Sequence, residues 1–209
     1  MSETRQAGLW RGDFGDAYTD RNSESDAYLA ALTQSWARIL RCLMAEPPRT
    51  ILEGGANIGM NLRALRRLTT AEFHAVEPNA KARAKLVGDG LVPAERAMDA
   101  LLTAIPLPDA SVDLAFTRGV LIHIPPADLL QSCREIVRVS RRWVIANEYF
   151  APRPEEVPYR GLSEALFKRD FGAFYLENFP ELRVVDYGFD WKEVTGMDNL
   201  TWWVFEKRP

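Results

Sequence analysis

Apolar residues recur with two different periods along the chain, and the alternation between these periods predicts the fold. From Asp26 they fall at steps of three and four residues, which predicts a helix that ends before Pro47 and Pro48. Short apolar runs, typical of buried strands, then alternate with further helical stretches. The predicted strands cover residues 50–54, 73–77, 95–98, 112–117, 143–149, 183–189 and 200–205. The predicted helices after the first cover residues 60–68, 80–86, 127–139 and 163–178.

This order of elements predicts an α/β fold around a mostly parallel sheet. Strands that alternate with helices form parallel crossovers, which place helices on both faces of the sheet. The last two strands have little between them, so we expect a hairpin that leaves one antiparallel strand at or near the edge. The 209 residues suit one domain, and nothing in the pattern divides the chain. Residues 1–26 are polar and contain a predicted turn over residues 10–15.

Composition narrows the classes of function. Apolar residues make up 47% and charged residues 26%, the balance of an ordinary globular protein. The net charge of −3 gives no general attraction to nucleic acid or to an anionic membrane. No signal peptide and no apolar run of about 18 residues is present. Cys42 and Cys133 lack metal-ligand spacing and fit free thiols. We therefore expect a cytoplasmic monomer or homodimer without a metal.

A glycine-containing turn directly follows the first predicted strand. Glu53, Gly55 and Gly59 match the pattern E/D-x-G-x-G-x-G, which methyltransferases use for S-adenosylmethionine, and Asn57 replaces the middle glycine. Asn tolerates left-handed backbone geometry better than other non-glycine residues, so we expect the turn to survive. The G-x-G-x-x-G spacing of dinucleotide-binding proteins is absent. A tight strand–helix turn that binds nothing is the alternative.

Two further acidic residues follow neighbouring strands. Glu77 ends the second strand, where a carboxylate can accept both ribose hydroxyls of an adenosine. Asp99 follows the next strand and is a candidate to accept the adenine amino group, while Met98 packs on the ring. A solvated strand-end Glu77 and a helix-capping Asp99 are the alternatives.

Together these segments resemble class I methyltransferases over roughly residues 45–150. The opening at 12–22, the stretches 148–150, 156–161 and 166–171, and the close at 185–189 resemble methylases associated with pseudaminic acid biosynthesis. The resemblance implies S-adenosylmethionine as cofactor, a Rossmann-like sheet of seven strands, and an N-terminal helical cap, residues 1–45, over the cofactor site. Tyr18 and Arg21 of this cap would then reach the carboxylate of the methionyl part, with Arg21 as a two-pronged donor.

The predicted site therefore has a cofactor part and a catalytic part. Methyl transfer needs a positioned nucleophile and a group that takes its proton. His123, after the fourth strand, is a candidate base, and Glu148 and Tyr149, at the end of the fifth, are candidates to orient the substrate or act as base. A packing role for His123 is the alternative, and His74 fits a structural residue. The residues predicted to surround the cofactor are Tyr18, Arg21, Glu53, Gly54, Gly55, Ala56, Asn57, Glu77, Pro78, Met98, Asp99, Ala100, Thr117, Arg118 and Gly119.

The connection 150–180 is too long for a simple turn and predicts a substrate lid. Its residues Tyr159, Arg160, Lys168 and Arg169 indicate a small anionic substrate of the sugar-acid, carboxylate or phosphonate type, although Lys168 and Arg169 also fit a solvated helix face. An anionic nucleophile would need no base. The sequence thus predicts a methyltransferase acting on a small metabolite. The alternatives are a catalytically silent relative that binds a partner protein and, less favoured by the glycine spacing, an NAD(P)-dependent reductase.

Overall fold

The computed structural model describes residues 5–21, 25–158 and 166–208. The strands are β1 (Thr50–Gly54), β2 (Glu72–Val76), β3 (Ala97–Met98), β4 (Val112–Arg118), β5 (Ser140–Glu148), β6 (Glu155–Glu156), β7 (Phe167–Lys168), β8 (Leu182–Asp190) and β9 (Leu200–Lys207). The helices are α1 (Arg5–Arg11), α2 (Asp13–Arg21), α3 (Asp26–Leu40), α4 (Met60–Leu65), α5 (Ala80–Gly88), α6 (Pro126–Val139), α7 (Phe171–Asn178) and α8 (Lys192–Thr195). Short 3₁₀ turns cover Arg41–Leu43, Ala94–Arg96 and Leu121–His123.

Seven strands form one sheet in the order β3-β2-β1-β4-β5-β9-β8. Neighbouring strands from β3 to β5 pair in parallel, whereas β9 runs antiparallel to both β5 and β8. The predicted Rossmann-like α/β fold is confirmed, with its antiparallel strand one place in from the edge. The strand order reverses between β1 and β4, and open α/β sheets bind ligands beyond the carboxyl ends of the strands at such a point.

The two faces of the sheet carry separate apolar clusters. Successive strand side chains point to opposite faces, so Leu114 and Phe116 pack towards α3 and α4 while Ala115 joins the cluster with α6 and α7. Trp36 of α3 packs edge-on against Phe116, with 4.6 Å between ring centroids. This burial on both faces fixes the strand ends that carry the site.

Two sequence predictions about local structure were wrong. The predicted helix 163–178 starts only at Phe171, because the Oδ1 of Asp170 accepts the N–H of Ala173 at 2.9 Å and caps the helix there. Phe167–Lys168 instead pairs with Glu155–Glu156 as a two-stranded ribbon, and residues 163–165 lie outside the described residues. The predicted turn at 10–15 is helical on both sides of Gly12, with acidic residues in the first turn of α2.

Within the described ranges, no helix is long and apolar enough to cross a bilayer. The same ranges contain no group of three or more His, Cys, Asp or Glu side chains placed to hold a metal ion.

Candidate functional site

A cavity of about 460 Å³ opens at the carboxyl edge of β1, β2, β4 and β5. This volume is in the range of small-molecule sites. Most of the predicted cofactor residues line it, namely Tyr18, Arg21, Glu53, Gly55, Ala56, Asn57, Glu77, Pro78, Ala100, Arg118 and Gly119. Four predicted residues are not among its lining: Gly54, Met98, Asp99 and Thr117.

The loop after β1 has the backbone that its sequence predicts. Asn57 has φ +46°, so the expectation that Asn replaces glycine in a left-handed position is confirmed. Gly55 has φ +71°, and a Cβ there would lie 2.7 Å from Cγ1 of Val120. The loop therefore passes too close to the turn after β4 to accept a side chain at Gly55.

Glu53 places a buried carboxyl group against the cavity. Its Oε1 accepts the side-chain N–H of Asn61 at 2.6 Å, whereas its buried Oε2 has no hydrogen-bond partner among the described residues. Burial raises the pKa of Glu53 to about 8; the Asn61 bond and Arg118 oppose this rise, and Glu77 adds to it. An unpartnered carboxyl oxygen in a cavity wall fits a ligand that brings a cation or an N–H donor.

Glu77 supports the same loop from β2. Its Oε2 accepts the backbone N–H of Asn57 at 2.7 Å, and its Oε1 accepts that of Asn79 at 2.8 Å. Burial raises the pKa of Glu77, and these two N–H bonds oppose the rise. Each carboxylate oxygen has two lone pairs, so both can still accept a ligand hydroxyl.

The structure gives Asp99 partners outside the cavity. Its Oδ1 lies 2.5 Å from a guanidinium nitrogen of Arg11, and its Oδ2 lies 2.8 Å from one of Arg83. Its side chain is 48% exposed. Met98 is the last residue of β3 and pairs with Val76. The cavity wall here is formed by the residues after Asp99, namely Ala100, Leu101 and Leu102.

Helices α1 and α2 form one wall of the cavity. The Trp10 ring lies 5.0 Å from that of His123, and the rings of Phe14 and Tyr18 each meet it edge-on at 5.3 Å. The guanidinium of Arg21 lies 5.6 Å from the Tyr18 ring centroid. The residues implied for the methionyl carboxylate therefore lie together, beside an aromatic group that includes Trp10.

Asn79 connects this wall to the sheet. Its Oδ1 accepts the N–H of Ala82 at 2.9 Å and caps α5. Its side-chain N–H groups donate to Asp16 at 2.7 Å and to the carbonyl of Trp10 at 3.2 Å. One amide, two residues after Glu77, thus joins α1, α2 and α5.

The three predicted catalytic residues have different surroundings. His123 is 7% exposed and lines the cavity from the 3₁₀ turn after β4, and Tyr149 lines it from the end of β5. Glu148 is fully buried beneath the turn and does not line the cavity; its Oε2 accepts the N–H of Val120 at 3.0 Å. Burial raises the pKa of Glu148 to about 7, opposed by backbone N–H groups of the turn. The geometry makes Glu148 a support of the turn.

Only two of the four predicted substrate residues lie within the described part of the chain. Tyr159 and Arg160 lie outside the described residues. The ammonium of Lys168 lies 5.6 Å from the Tyr149 ring centroid, and the guanidinium of Arg169 lies 5.1 Å from that of Phe174. Neither cation lines the cavity directly.

Sequence reasoning missed part of the lining. The residues that it did not single out include Trp10, Tyr28, Asn61, Leu101, Leu102, Val120, Ile122, Ile124, Leu166, Asp198 and Leu200. Asn61 had a usable signal, because a polar residue in the first turn of α4 can face back to Glu53. Asp198 and Leu200 had none, because they reach the site through the tertiary placement of the start of β9, where Leu200 pairs with Asp190.

Arg118 enters the cavity with its charge already paired. Its guanidinium lies 3.4 Å from the buried carboxylate of Asp190. Asp190 also accepts hydrogen bonds from Ser35 at 2.5 Å and from Arg38 at 2.6 Å. This carboxylate at the end of β8 therefore holds α3 and β4 together behind the site.

Comparison with known proteins shows which proteins this geometry resembles. Residues 52–143 match the model of a methyltransferase domain. The matched methyltransferase segment contains the Glu53–Asn57 loop, Glu77 and His123. A search of curated proteins found no match.

Solved methyltransferases share the whole architecture. The 1,6-didemethyltoxoflavin-N1-methyltransferase of Burkholderia thailandensis, crystallised with its substrate and S-adenosylhomocysteine, aligns with a TM-score of 0.74 at 16% identity, covering 100% of this chain and 92% of that one. A SAM-dependent methyltransferase of Leishmania major aligns with a TM-score of 0.74 at 17% identity, covering 97% and 86%. The magnesium protoporphyrin IX methyltransferase of Synechocystis PCC 6803, with bound SAM, aligns with a TM-score of 0.65 at 12% identity, covering 99% of both chains.

At these identities the neighbours establish the fold, and the methyltransferase domain model matches a segment of less than half of the chain. The Burkholderia neighbour holds S-adenosylhomocysteine and the Synechocystis neighbour holds SAM. The narrower resemblance to methylases associated with pseudaminic acid biosynthesis is not tested by these comparisons and stays a prediction.

Proposed function

We propose that this chain is an S-adenosylmethionine-dependent methyltransferase that acts on a small anionic metabolite. The observation that carries the proposal is the left-handed loop around Asn57, set between an unpartnered oxygen of Glu53 and the carboxylate of Glu77. This loop lies at the switch point of the sheet, inside the segment that matches a methyltransferase domain.

The residues present fit the cofactor. The free Oε2 of Glu53 suits the ammonium of the methionyl part, and a carboxylate there also favours a nearby sulfonium. Glu77 can accept the two ribose hydroxyls with its remaining lone pairs. Arg21, held over the Tyr18 ring, would bind the methionyl carboxylate.

The chemistry then depends on how the chain arranges the acceptor. When bound, the cofactor supplies an electrophilic methyl group. The cavity would hold the acceptor beside this methyl group, and His123 would take the acceptor's proton. Tyr149 orients the acceptor from the end of β5, and Glu148 fixes the turn that carries His123.

The anionic character of the acceptor rests on the segment after β5. Lys168 places its ammonium over the ring of Tyr149, which itself lines the cavity, so its charge acts at the acceptor end. Arg160 and Tyr159 would add donors from the same segment. We therefore propose a sugar acid, carboxylate or phosphonate as the substrate class.

Calorimetric titration of the purified protein tests the cofactor. S-adenosylhomocysteine should bind and NADH should not. Glu77→Ala should weaken S-adenosylhomocysteine binding at least about tenfold, about 1.4 kcal/mol, because the ribose contacts are lost. Glu95→Ala, which changes a carboxylate outside the cavity lining, is the control and should bind normally. An absence of S-adenosylhomocysteine binding to the unmodified protein would overturn the proposal.

Methyl transfer tests the reaction and the substrate class. Labelled S-adenosylmethionine is incubated with sugar acids, carboxylates and phosphonates, each beside a neutral analogue of the same size. We expect label in an acidic acceptor, with a Michaelis constant that rises in Lys168→Ala and in Arg160→Ala while cofactor affinity stays constant. Transfer to the neutral analogues alone would refute the anionic class, and cofactor binding without any transfer would favour a catalytically silent relative.

A further inference from the structure

We propose that Trp10 is a positioning residue for His123, so that docking of α1 and α2 beside the cofactor completes the acceptor side of the site. The chemical role of His123 rests on the proposed function, whereas the contact between the two side chains does not. Trp10 was not among the residues that the sequence singled out.

The contact joins two residues that both line the cavity. The ring centroids of Trp10 and His123 are 5.0 Å apart, and the ring planes are inclined by 59°. This separation is within the range of attractive aromatic pairs. His123 is 7% exposed, so Trp10 is part of what covers its ring and limits the rotamers open to it.

The Trp10 ring is itself fixed by the docking of the two helices. Phe14 and Tyr18 hold it edge-on from α2, with ring planes inclined by 81° and 88° to its own. The carbonyl of Trp10 accepts from Asn79, and the next residue, Arg11, pairs with Asp99. The ring therefore takes this position only when α1 and α2 are seated on the sheet.

The main chain of His123 is held independently of these helices. The turn before it is fixed from below, where the buried Glu148 accepts the N–H of Val120 at 3.0 Å. This bond sets the path of the backbone but leaves the side-chain torsions of His123 undetermined. The contact with Trp10 is one restraint on these torsions.

Asn79 provides a link from the cofactor to this contact. Its backbone N–H donates to Glu77 at 2.8 Å, and its side chain donates to Trp10 and to Asp16. A ligand that engages Glu77 therefore stabilises the arrangement of Asn79 that holds α1 and α2. We expect cofactor binding to order the pair of Trp10 and His123 as well.

Nuclear magnetic resonance of the histidine rings measures this directly. The chain has two histidines, so histidine labelled with ¹³C at Cε1 alone gives two ring signals, and a His74→Gln variant assigns them. Spectra are compared for the unmodified protein, Trp10→Leu, Trp10→Phe and Trp191→Leu, each with and without S-adenosylhomocysteine. Trp191 is the matched control, because it is 53% exposed and does not line the cavity.

We expect Trp10→Leu to move the His123 signal towards its position in the unfolded chain and to abolish its response to S-adenosylhomocysteine. Trp10→Phe, which keeps an aromatic ring, should retain most of the native position, and Trp191→Leu should leave it unchanged. A His123 signal that is the same in Trp10→Leu as in the unmodified protein would overturn the proposal.

A second measurement needs no substitution. Cross-relaxation between the ring protons of Trp10 and His123 should be present in the unmodified protein and should strengthen with S-adenosylhomocysteine; its absence in both states would also overturn the proposal. If S-adenosylhomocysteine does not bind at all, the proposed function fails, while the cofactor-free spectra still decide whether Trp10 positions His123.

Discussion

The proposed function divides the cavity into a cofactor half and a methyl-acceptor half, and the two are built in different ways. The cofactor half is centred on the adjacent ends of β1 and β2, where backbone torsions and the carboxylates of Glu53 and Glu77 shape the surface. The acceptor half is assembled from distant segments, with Trp10 from α1, His123 from a 3₁₀ turn and Tyr149 from the end of β5. A surface shaped by the backbone suits one ligand, because substitutions change it little. A surface formed by side chains from distant segments can come to bind a different ligand by substitution, without a change of fold.

The largest effect that separates the halves is expected at His123. His123→Asn should lower kcat about 100-fold or more, because a positioned base contributes about 10²–10⁴ to a rate. Its affinity for S-adenosylhomocysteine should stay unchanged, since the cofactor half is intact. His74→Asn, a change in β2 outside the cavity lining, is the control. An unchanged kcat in His123→Asn would show that the acceptor is already an anionic oxygen.

A methyl group at Gly55 should damage the cofactor half next most strongly. Gly55→Ala combines a strained left-handed residue with an overlap at Val120, and we expect the free energy of unfolding to fall by about 3 kcal/mol. Affinity for S-adenosylhomocysteine should fall at least about tenfold.

Gly90 offers the matched control for this change. It also has a positive φ, of +62°, but a Cβ there meets nothing within 4 Å. Gly90→Ala should therefore lose only about 1–2 kcal/mol and bind S-adenosylhomocysteine normally. Chemical denaturation measures the loss of unfolding free energy, and calorimetry measures the loss of affinity. Equal losses of both quantities in the two variants would show that the approach of the loop to Val120 is not what shapes the cofactor half.

The protonation of Glu53 should make cofactor binding depend on pH. The folded, cofactor-free protein raises the pKa of Glu53 from its ordinary 4.5 to about 8 because the group is buried, so it is protonated near neutral pH. A bound ammonium favours the carboxylate, so binding releases a proton, and affinity should rise with pH towards 8. Calorimetry at pH 7 in two buffers of different ionisation enthalpy should detect this release, and Glu53→Gln should show none.

The same raised pKa affects folding with the opposite trend. A carboxyl group whose pKa is raised in the folded state stabilises the protein when the pH is below the pKa of the group in the unfolded chain. This contribution is lost as the pH rises through the pKa of the group in the folded protein. The free energy of unfolding of the cofactor-free protein should therefore fall between about pH 5 and pH 8, and less so in Glu53→Gln. A stability that rises over this interval would contradict the buried, protonated Glu53.

The smallest effect is expected at Asp99, at the border of the cofactor half. Its carboxylate is half exposed and paired with Arg11 and Arg83. Such pairs contribute about 0–1 kcal/mol, so Asp99→Asn should change S-adenosylhomocysteine affinity less than about threefold. A tenfold loss in the calorimeter would instead support the contact with the adenine amino group that the sequence predicts.

The difference between the halves also explains what the sequence could predict. The bounds of β1 were predicted as observed, and the left-handed Asn57 followed from its place in the glycine pattern, because both depend on local chemistry. The pairing of Asp99 with Arg11 was not predictable, since it depends on how α1 docks onto the sheet. The ribbon at Phe167–Lys168 was missed because the aromatic spacing there fits a helix, and only the cap at Asp170 decides where that helix begins.

The pairing of Arg118 with Asp190 has a consequence for turnover. The buried carboxylate of Asp190, which also pairs with Arg38, offsets part of the positive charge that Arg118 brings beside Glu53 and Glu77. Under the proposed function the carboxylates of Glu53 and Glu77 would favour a sulfonium, and this attraction would disappear when the sulfur becomes a neutral thioether. We expect the spent cofactor to be held less tightly than the fresh one, so that departure of the by-product is favoured and inhibition by it is weak.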